Sequence, residues 1–164
     1  MSRFRSSLTR LSSTPPCHLR TGSGSRTLPT QIDRLPGIKG CYTLTISLRR
    51  EISLRIGSLG RFHFPPGVYL YTGSALNGLK SRLSRHLRKR NKKCHWHIDY
   101  ILKSSQARVQ EIWLYPGTSR QECYFNQRVA TLPGAKIVVH AFGASDCKAG
   151  CKSHLLYFSQ KPTS

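Results

Sequence analysis

"YLYTGSALNGLKSRLSRHLRKRNKK", Tyr69–Lys93, changes its repeat partway along, and where it changes decides the fold. Its first residues belong to "PPGVYLYTGS", a short strand opened by Pro65, Pro66 and Gly67 and closed by Gly73. A helix begins near Ala75 or Asn77, because Leu79, Leu83 and Leu87 recur at four-residue spacing as one apolar stripe. Lys80, Arg85, Arg88, Lys89, Arg90, Lys92 and Lys93 lie away from that stripe and make a cationic surface suited to nucleic-acid phosphates. Arg82 and His86, one turn apart, project beside the leucines toward the body of the protein. A charge run is ordinarily a solvated face, and that reading covers most of these residues. It does not cover Arg82: an inward Arg needs a carboxylate partner, a snorkelling path or a bound phosphate.

Upstream, "GCYTLTISL" alternates and places Tyr42, Leu44, Ile46 and Leu48 on one face of a half-buried strand. After "RRE", Ile52, Leu54 and Ile56 resume the alternation, which predicts a hairpin. Downstream, "HWHIDYILK" predicts a short buried helix, "VQEIWLYPG" a strand, "SRQECYFNQRVATL" a helix, "KIVVHAFG" a strand and "CKSHLLYF" a closing element. Residues 36–158 thus read as one compact α+β domain followed by a short tail, 159–164, with no internal repeat.

Charge narrows the partners. Lys and Arg number 27 against six Asp and Glu, a net charge of +21 over 164 residues. Such a balance favours a polyanion. A membrane fits poorly, since no apolar run approaches transmembrane length and the basic segments lack broad aromatic anchors. Nucleic acid is the expected partner.

Residues 1–35 read differently: rich in Ser, Thr, Arg and Pro, without Lys, and with Asp33 as their single acid. Three readings stay open for them. They are a disordered basic tail, an organellar transit peptide, or a segment upstream of the true start, Met1 being the chain's one methionine. They lack the apolar block of a secretory signal, so the expected location is intracellular, cytoplasmic first, and organellar if the transit-peptide reading holds. In such a reducing compartment Cys17, Cys41, Cys94, Cys123, Cys147 and Cys151 are expected as thiols. "CKAGCKSH" gathers Cys147, Cys151 and His154 within eight residues. Tetrahedral zinc needs a fourth ligand, for which "CHWH" offers Cys94, His95 or His97. The competing reading is ordinary buried thiols.

"GCYTL", then "YLYTGSA", then "SRLSRH" resemble the motifs of the GIY-YIG nuclease superfamily. "GSALNGLKSRLSRH", "HWHIDYIL" and "FGASDCKAGCKSHLLYF" resemble a little-characterised branch of it, over nearly all of residues 36–158. The resemblance implies a small central, mostly antiparallel sheet flanked by helices. It places Gly40 and Tyr42 in the first motif, Tyr71 and Gly73 in the second, and Arg82 and His86 in the helix pair. Glu122, in "ECYF", matches the acid that holds Mg²⁺ or Mn²⁺. Two departures stand out. The 28 residues between Tyr42 and Tyr71 far exceed the usual short hairpin, and that insertion either sits at the hairpin end or reshapes the cleft. Cys41 and Thr72 occupy the middle positions of the two motifs, alternating away from the tyrosines, where packing rather than chemistry is expected of them.

Hydrolysis of a phosphodiester requires activated water, neutralisation of developing charge and usually a metal held by carboxylate. With six acids the search is short. Asp33 and Glu51 read as exposed, Glu111 as a strand surface position, Asp99 as buried beside a histidine, and Asp146 as a turn cap. Glu122 has two readings: the metal ligand of the resemblance, or the far end of a capping box begun by Ser119. Tyr42, Tyr71, Arg82, His86 and Glu122 are therefore the candidate catalytic set. Tyr42 would activate water, Arg82 would bind the scissile phosphate, and Tyr71 and His86 would position groups or carry protons. The expected activity is metal-dependent endonucleolytic cleavage of DNA, with RNA second. The alternative is a nucleic-acid-binding module whose site no longer cuts. A zinc deaminase is not expected, since neither the His-x-Glu nor the Cys-x-x-Cys element is present.

Overall fold

A computed structural model describes residues 24–162. Residues 1–23, with Cys17 and the targeting readings, and residues 163–164 lie outside the described residues. The chain runs β1 (Ser25–Thr27), a 3-10 turn (Pro29–Arg34), β2 (Gly40–Leu48), β3 (Ile52–Ile56), β4 (Gly60–Phe64), β5 (Gly67–Ala75), α1 (Leu79–Leu87), α2 (His97–Lys103), β6 (Ala107–Pro116), α3 (Glu122–Ala130) and β7 (Leu155–Phe158). Five strands form one sheet in the order β1-β6-β2-β5-β7, every neighbour antiparallel. β3 and β4 form a separate two-stranded sheet. The α+β class and the antiparallel sheet flanked by helices are as expected.

Alternation explains the central place of β2. Tyr42, Leu44 and Ile46 face the main core, where Leu79 and Leu83 of α1 and Ile98 and Ile101 of α2 are also buried. The opposite face is also covered: Cys41 packs with Trp113, Tyr115 and Phe125, and the hydroxyls of Thr43 and Thr72 meet at 3.1 Å. A strand buried on both faces fixes its register, and β2 pairs with β5 without a break from Gly40↔Ala75 to Leu48↔Gly67.

The structure corrects the sequence reading at four places. Residues 24–35, assigned to the tail, are ordered: β1 pairs with β6, and Ile32 is buried in the core. The predicted hairpin of Ile52–Ile56 forms with β4, not β2, because both edges of β2 are already taken by β5 and β6. "KIVVHAFG" makes one isolated bridge, Lys136↔Tyr157, instead of a strand, and its chain turns inward to bury Val139 and Phe142. The basic helix ends at Leu87. Arg88 is extended (φ −63°, ψ 127°) and Asn91 is left-handed (φ 51°), so the segment to Lys93 is a loop.

The insertion between the tyrosines leaves the β2–β5 hairpin at its Leu48↔Gly67 end, whereas both motifs lie toward Gly40↔Ala75. Ile56 and Phe64 anchor it in the main core. It extends the core from the far end of the sheet.

Candidate active site and metal centre

The register sets the first two side chains. Tyr42 lies opposite Gly73 and Leu44 opposite Tyr71, so the two tyrosines share a face, their ring centroids 6.4 Å apart. Gly73 is required here. A Cβ on it would come within 2.6 Å of the Tyr42 hydroxyl, and a ring packed to 1% exposure and bonded to His86 cannot yield.

Helix α1 supplies the third group. With Leu79 and Leu83 fully buried, the same face carries His86 inward, 1% exposed. His86 Nε2 is 2.7 Å from the Tyr42 hydroxyl, and its Nδ1 is 3.3 Å from Asp99 Oδ1. Asp99, in the first turn of α2, accepts the backbone N–H groups of His95 and Trp96 at 3.0 and 3.1 Å and meets Lys92 Nζ at 3.4 Å. Burial pushes the Asp99 carboxyl up, but the bond from His86, these amides and the Lys92 ammonium outweigh it and hold it well below the usual carboxylate range. Burial lowers His86 against the opposing pull of Asp99, which keeps the imidazole neutral near pH 7. An ionised Asp99 accepts from Nδ1–H, leaving the Nε2 lone pair to accept the Tyr42 O–H. Burial also raises Tyr42 and Tyr71 well above an ordinary phenol, so both rest as neutral hydroxyls.

Arg82 is the inward cation. Its guanidinium lies 3.8 Å from the Trp96 ring centroid, and among the described residues no carboxylate pairs with it. Across from it stands Glu122, the first residue of α3. The capping box from Ser119 does not form: Gln121 is the N-cap and no side chain caps the helix. Cys41 instead seats this end of α3, accepting Gln121 N–H at 3.3 Å with Glu122 Oε2 4.0 Å from its sulfur. The middle position of the first motif therefore does touch the candidate site, through packing.

Tyr42, Tyr71, Arg82 and Glu122 converge on one cleft of about 690 Å³, together with Trp96, Arg120, Asp146 and Lys148. The cleft exists because β7 ends at Leu155↔Tyr71, leaving Gly73 and Ser74 of β5 as part of its wall. None of residues 49–66 lines it, so the insertion does not cover it. His86 stands behind Tyr42, which it meets at 2.7 Å, and does not itself line the cleft.

The cationic surface divides. Arg88, Arg90 and Lys93 are exposed, as is Lys80, whose Nζ donates to the Asp33 carbonyl at 2.7 Å. Three others serve the fold instead. Lys89 Nζ donates to the carbonyls of Leu102, Ser104 and Ala107 at 2.6, 2.8 and 2.9 Å, satisfying acceptors at and just beyond the end of α2. Lys92 is buried, donating to the His86 carbonyl at 2.6 Å. Arg85 bonds Asp99 at 3.3 Å and the Lys93 carbonyl at 2.9 Å. Because α1 ends at Leu87, the loop beyond it brings the Lys89 ammonium to these carbonyls and buries Lys92, while Arg85 reaches Asp99 from within the helix.

Sequence reasoning missed Trp96, Arg120 and Lys148, and gave Asp146 only a capping role. Their signal is spatial: each lies on a loop far in sequence from the tyrosines. It also missed Cys123. The ligand atoms of Cys123, Cys147, Cys151 and His154 all lie within 4.8 Å of one another, a Cys3His group that can hold a metal such as zinc. The fourth member thus comes from α3, not from "CHWH". His97 Nδ1 is engaged by the Gly143 N–H at 2.9 Å, and His95 stacks edge-on against Trp96.

Among the described residues no helix is long and apolar enough to cross a membrane. A family model described as "Domain of unknown function DUF123" matches residues 41–164, about three quarters of the chain. The chain belongs to that family. No curated protein and no solved structure matches it.

Proposed function

We propose that this DUF123 chain is a divalent-metal-dependent endonuclease that hydrolyses DNA phosphodiester bonds, as the GIY-YIG superfamily resemblance of its motifs implies. One observation carries the reading. An inward Arg82 without a carboxylate partner shares a cleft with Tyr42, Tyr71 and Glu122, an arrangement that packing alone does not call for.

In this reading Arg82 takes the scissile phosphate bidentately, its plane set by Trp96. Water attacks phosphorus and gives a proton to the Tyr42 oxygen as Tyr42 passes its own proton to His86 Nε2. The imidazolium so formed is held by Asp99, and the leaving oxygen is reprotonated from solvent. Tyr71 positions the phosphate. Glu122, and Asp146 elsewhere in the lining of the cleft, offer the hard oxygen donors that Mg²⁺ or Mn²⁺ takes. Such an ion, when bound, supplies charge neutralisation at the phosphate.

A second reading rests on Arg88, Arg90 and Lys93, which are exposed and need no chemistry to bind phosphates: a nucleic-acid-binding module. Incubation of the full chain with supercoiled plasmid and Mg²⁺ or Mn²⁺, beside Arg82→Ala and Glu122→Ala, separates the two. Nicking by the parent and by neither variant supports the nuclease. DNA binding by all three without nicking, on plasmid, branched DNA and RNA alike, favours the module.

A further inference from the structure

We propose that Cys123, Cys147, Cys151 and His154 hold one structural zinc ion, which clasps the start of α3 to the 141–154 loop and so builds one wall of the cleft.

The spacing fits the ion. A tetrahedron with Zn–S bonds of about 2.3 Å sets its sulfurs about 3.8 Å apart. Cys123 Sγ lies 3.4 Å from Cys147 Sγ and 3.7 Å from His154 Nε2, and all four donors fall within 4.8 Å. The sulfurs are too far apart for a disulfide, whose length is about 2.05 Å. Three thiolates and one imidazole are soft and borderline donors that select zinc over Mg²⁺. Four protein ligands also close the shell, which is the pattern of a structural rather than a catalytic ion.

The fold gives the clasp a task. Residues 141–154 contain turns but neither strand nor helix. Bonds at the two ends tie this loop down: Ala141 N–H to Lys152 O at 2.8 Å, Gly143 N–H to His97 Nδ1 at 2.9 Å, His154 N–H to Phe142 O at 2.8 Å, Thr72 N–H of β5 to His154 O at 3.0 Å, and Asn126 Nδ2 of α3 to Ser153 O at 2.8 Å. Yet the loop must keep its shape, because a Cβ on Gly143 would sit 3.0 Å from the Tyr71 ring. A chelate joining three loop donors to Cys123 fixes the loop to the helix and expels the thiol protons to solvent as it forms. Cys123, Cys147 and His154 all line the cleft. Because Cys123 follows Glu122, the same ion also sets where that carboxylate stands. This last consequence rests on the nuclease reading, whereas the zinc assignment does not.

The test uses the full chain, purified under reducing conditions without added metal or chelator. Elemental analysis is expected to give about one zinc per chain. Exchange for Co²⁺ is expected to produce thiolate-to-cobalt charge-transfer absorption with the d–d bands of a tetrahedral site. Cys147→Ser should lower zinc occupancy about tenfold or more, while Cys94→Ser should leave it unchanged. Should Cys147→Ser fail to fold, the cobalt spectrum of the parent and its loss to a chelator decide alone. A metal-free chain with four reactive thiols at these positions and no cobalt uptake overturns the proposal, as does a Cys123–Cys147 disulfide or a cobalt spectrum without thiolate bands. Zinc without cleavage of plasmid, branched DNA or RNA refutes the nuclease and leaves the clasp standing; nicking without zinc does the reverse.

Discussion

Arg82 and Arg85 stand three positions apart on α1 and meet different ends. Both guanidiniums lie against the Trp96 ring, Arg82 at 3.8 Å and Arg85 at 4.7 Å from its centroid, but Arg85 is also held by Asp99 and the Lys93 carbonyl, whereas Arg82 lines the cleft. Arg82→Lys keeps the charge but loses the planar fork and the stacking, so plasmid nicking should fall nearly as far as in Arg82→Ala. Tyr42→Phe removes one hydroxyl from a ring that stays packed. Its nicking rate should drop about 10²–10⁴-fold, with stability lowered by about 1–3 kcal/mol because the buried His86 Nε2 loses its donor, read from gel kinetics and thermal unfolding. Retained activity in Tyr42→Phe would remove Tyr42 from the proton path. The inward aim of Arg82 was legible in the sequence, because the leucine stripe fixes the helix face. Trp96 was not, since its ring reaches Arg82 from a loop whose path no periodicity records.

At the scale of the element, the short helix α2 is tied to α1 through Asp99. His86, Lys92, Arg85 and two backbone amides all meet its carboxylate, itself 0% exposed. Asp99→Ala leaves Lys92 buried without its counter-ion and should destabilise the chain by about 3–5 kcal/mol, measured as a lower denaturant midpoint. A change under about 1 kcal/mol would mean the charges there are effectively solvated. The strands β2, β5 and β6 could be read from alternation, since each buries a face. The end of α1 could not: "HLRKRNKK" is basic on both sides of the break, and it is beyond Arg88 that Lys92 meets Asp99 and Lys89 meets the carbonyls ending α2. "KIVVHAFG" has strand-like residues, but after its one bridge to the outer edge of β7, Lys136↔Tyr157, the chain turns and buries Val139 and Phe142.

Across the whole molecule, pH and salt report on different parts. The folded chain holds His86 below its ordinary range, so the unfolded chain takes up a proton near pH 6.5, roughly, that the folded chain refuses. Stability is thus full above that pH and falls as acid takes the solution down through the folded value. Asp99, also depressed, adds a second loss from about pH 4 downward. Melting temperatures that rise on acidification would contradict this. For DNA binding, Arg88→Ala, Arg90→Ala and Lys93→Ala should each reduce the slope of log affinity against log salt by up to about 0.9. Lys92→Ala should instead lower stability, because its Nζ never reaches solvent.

The central claim, that one cleft both receives and cuts DNA, is tested most directly by measuring binding and nicking on the same samples of parent and Glu122→Ala protein. The prediction is equal affinity at matched salt, with metal-dependent nicking by the parent and none by Glu122→Ala. Equal nicking by both proteins would contradict it, as would a loss of nicking explained wholly by a loss of binding.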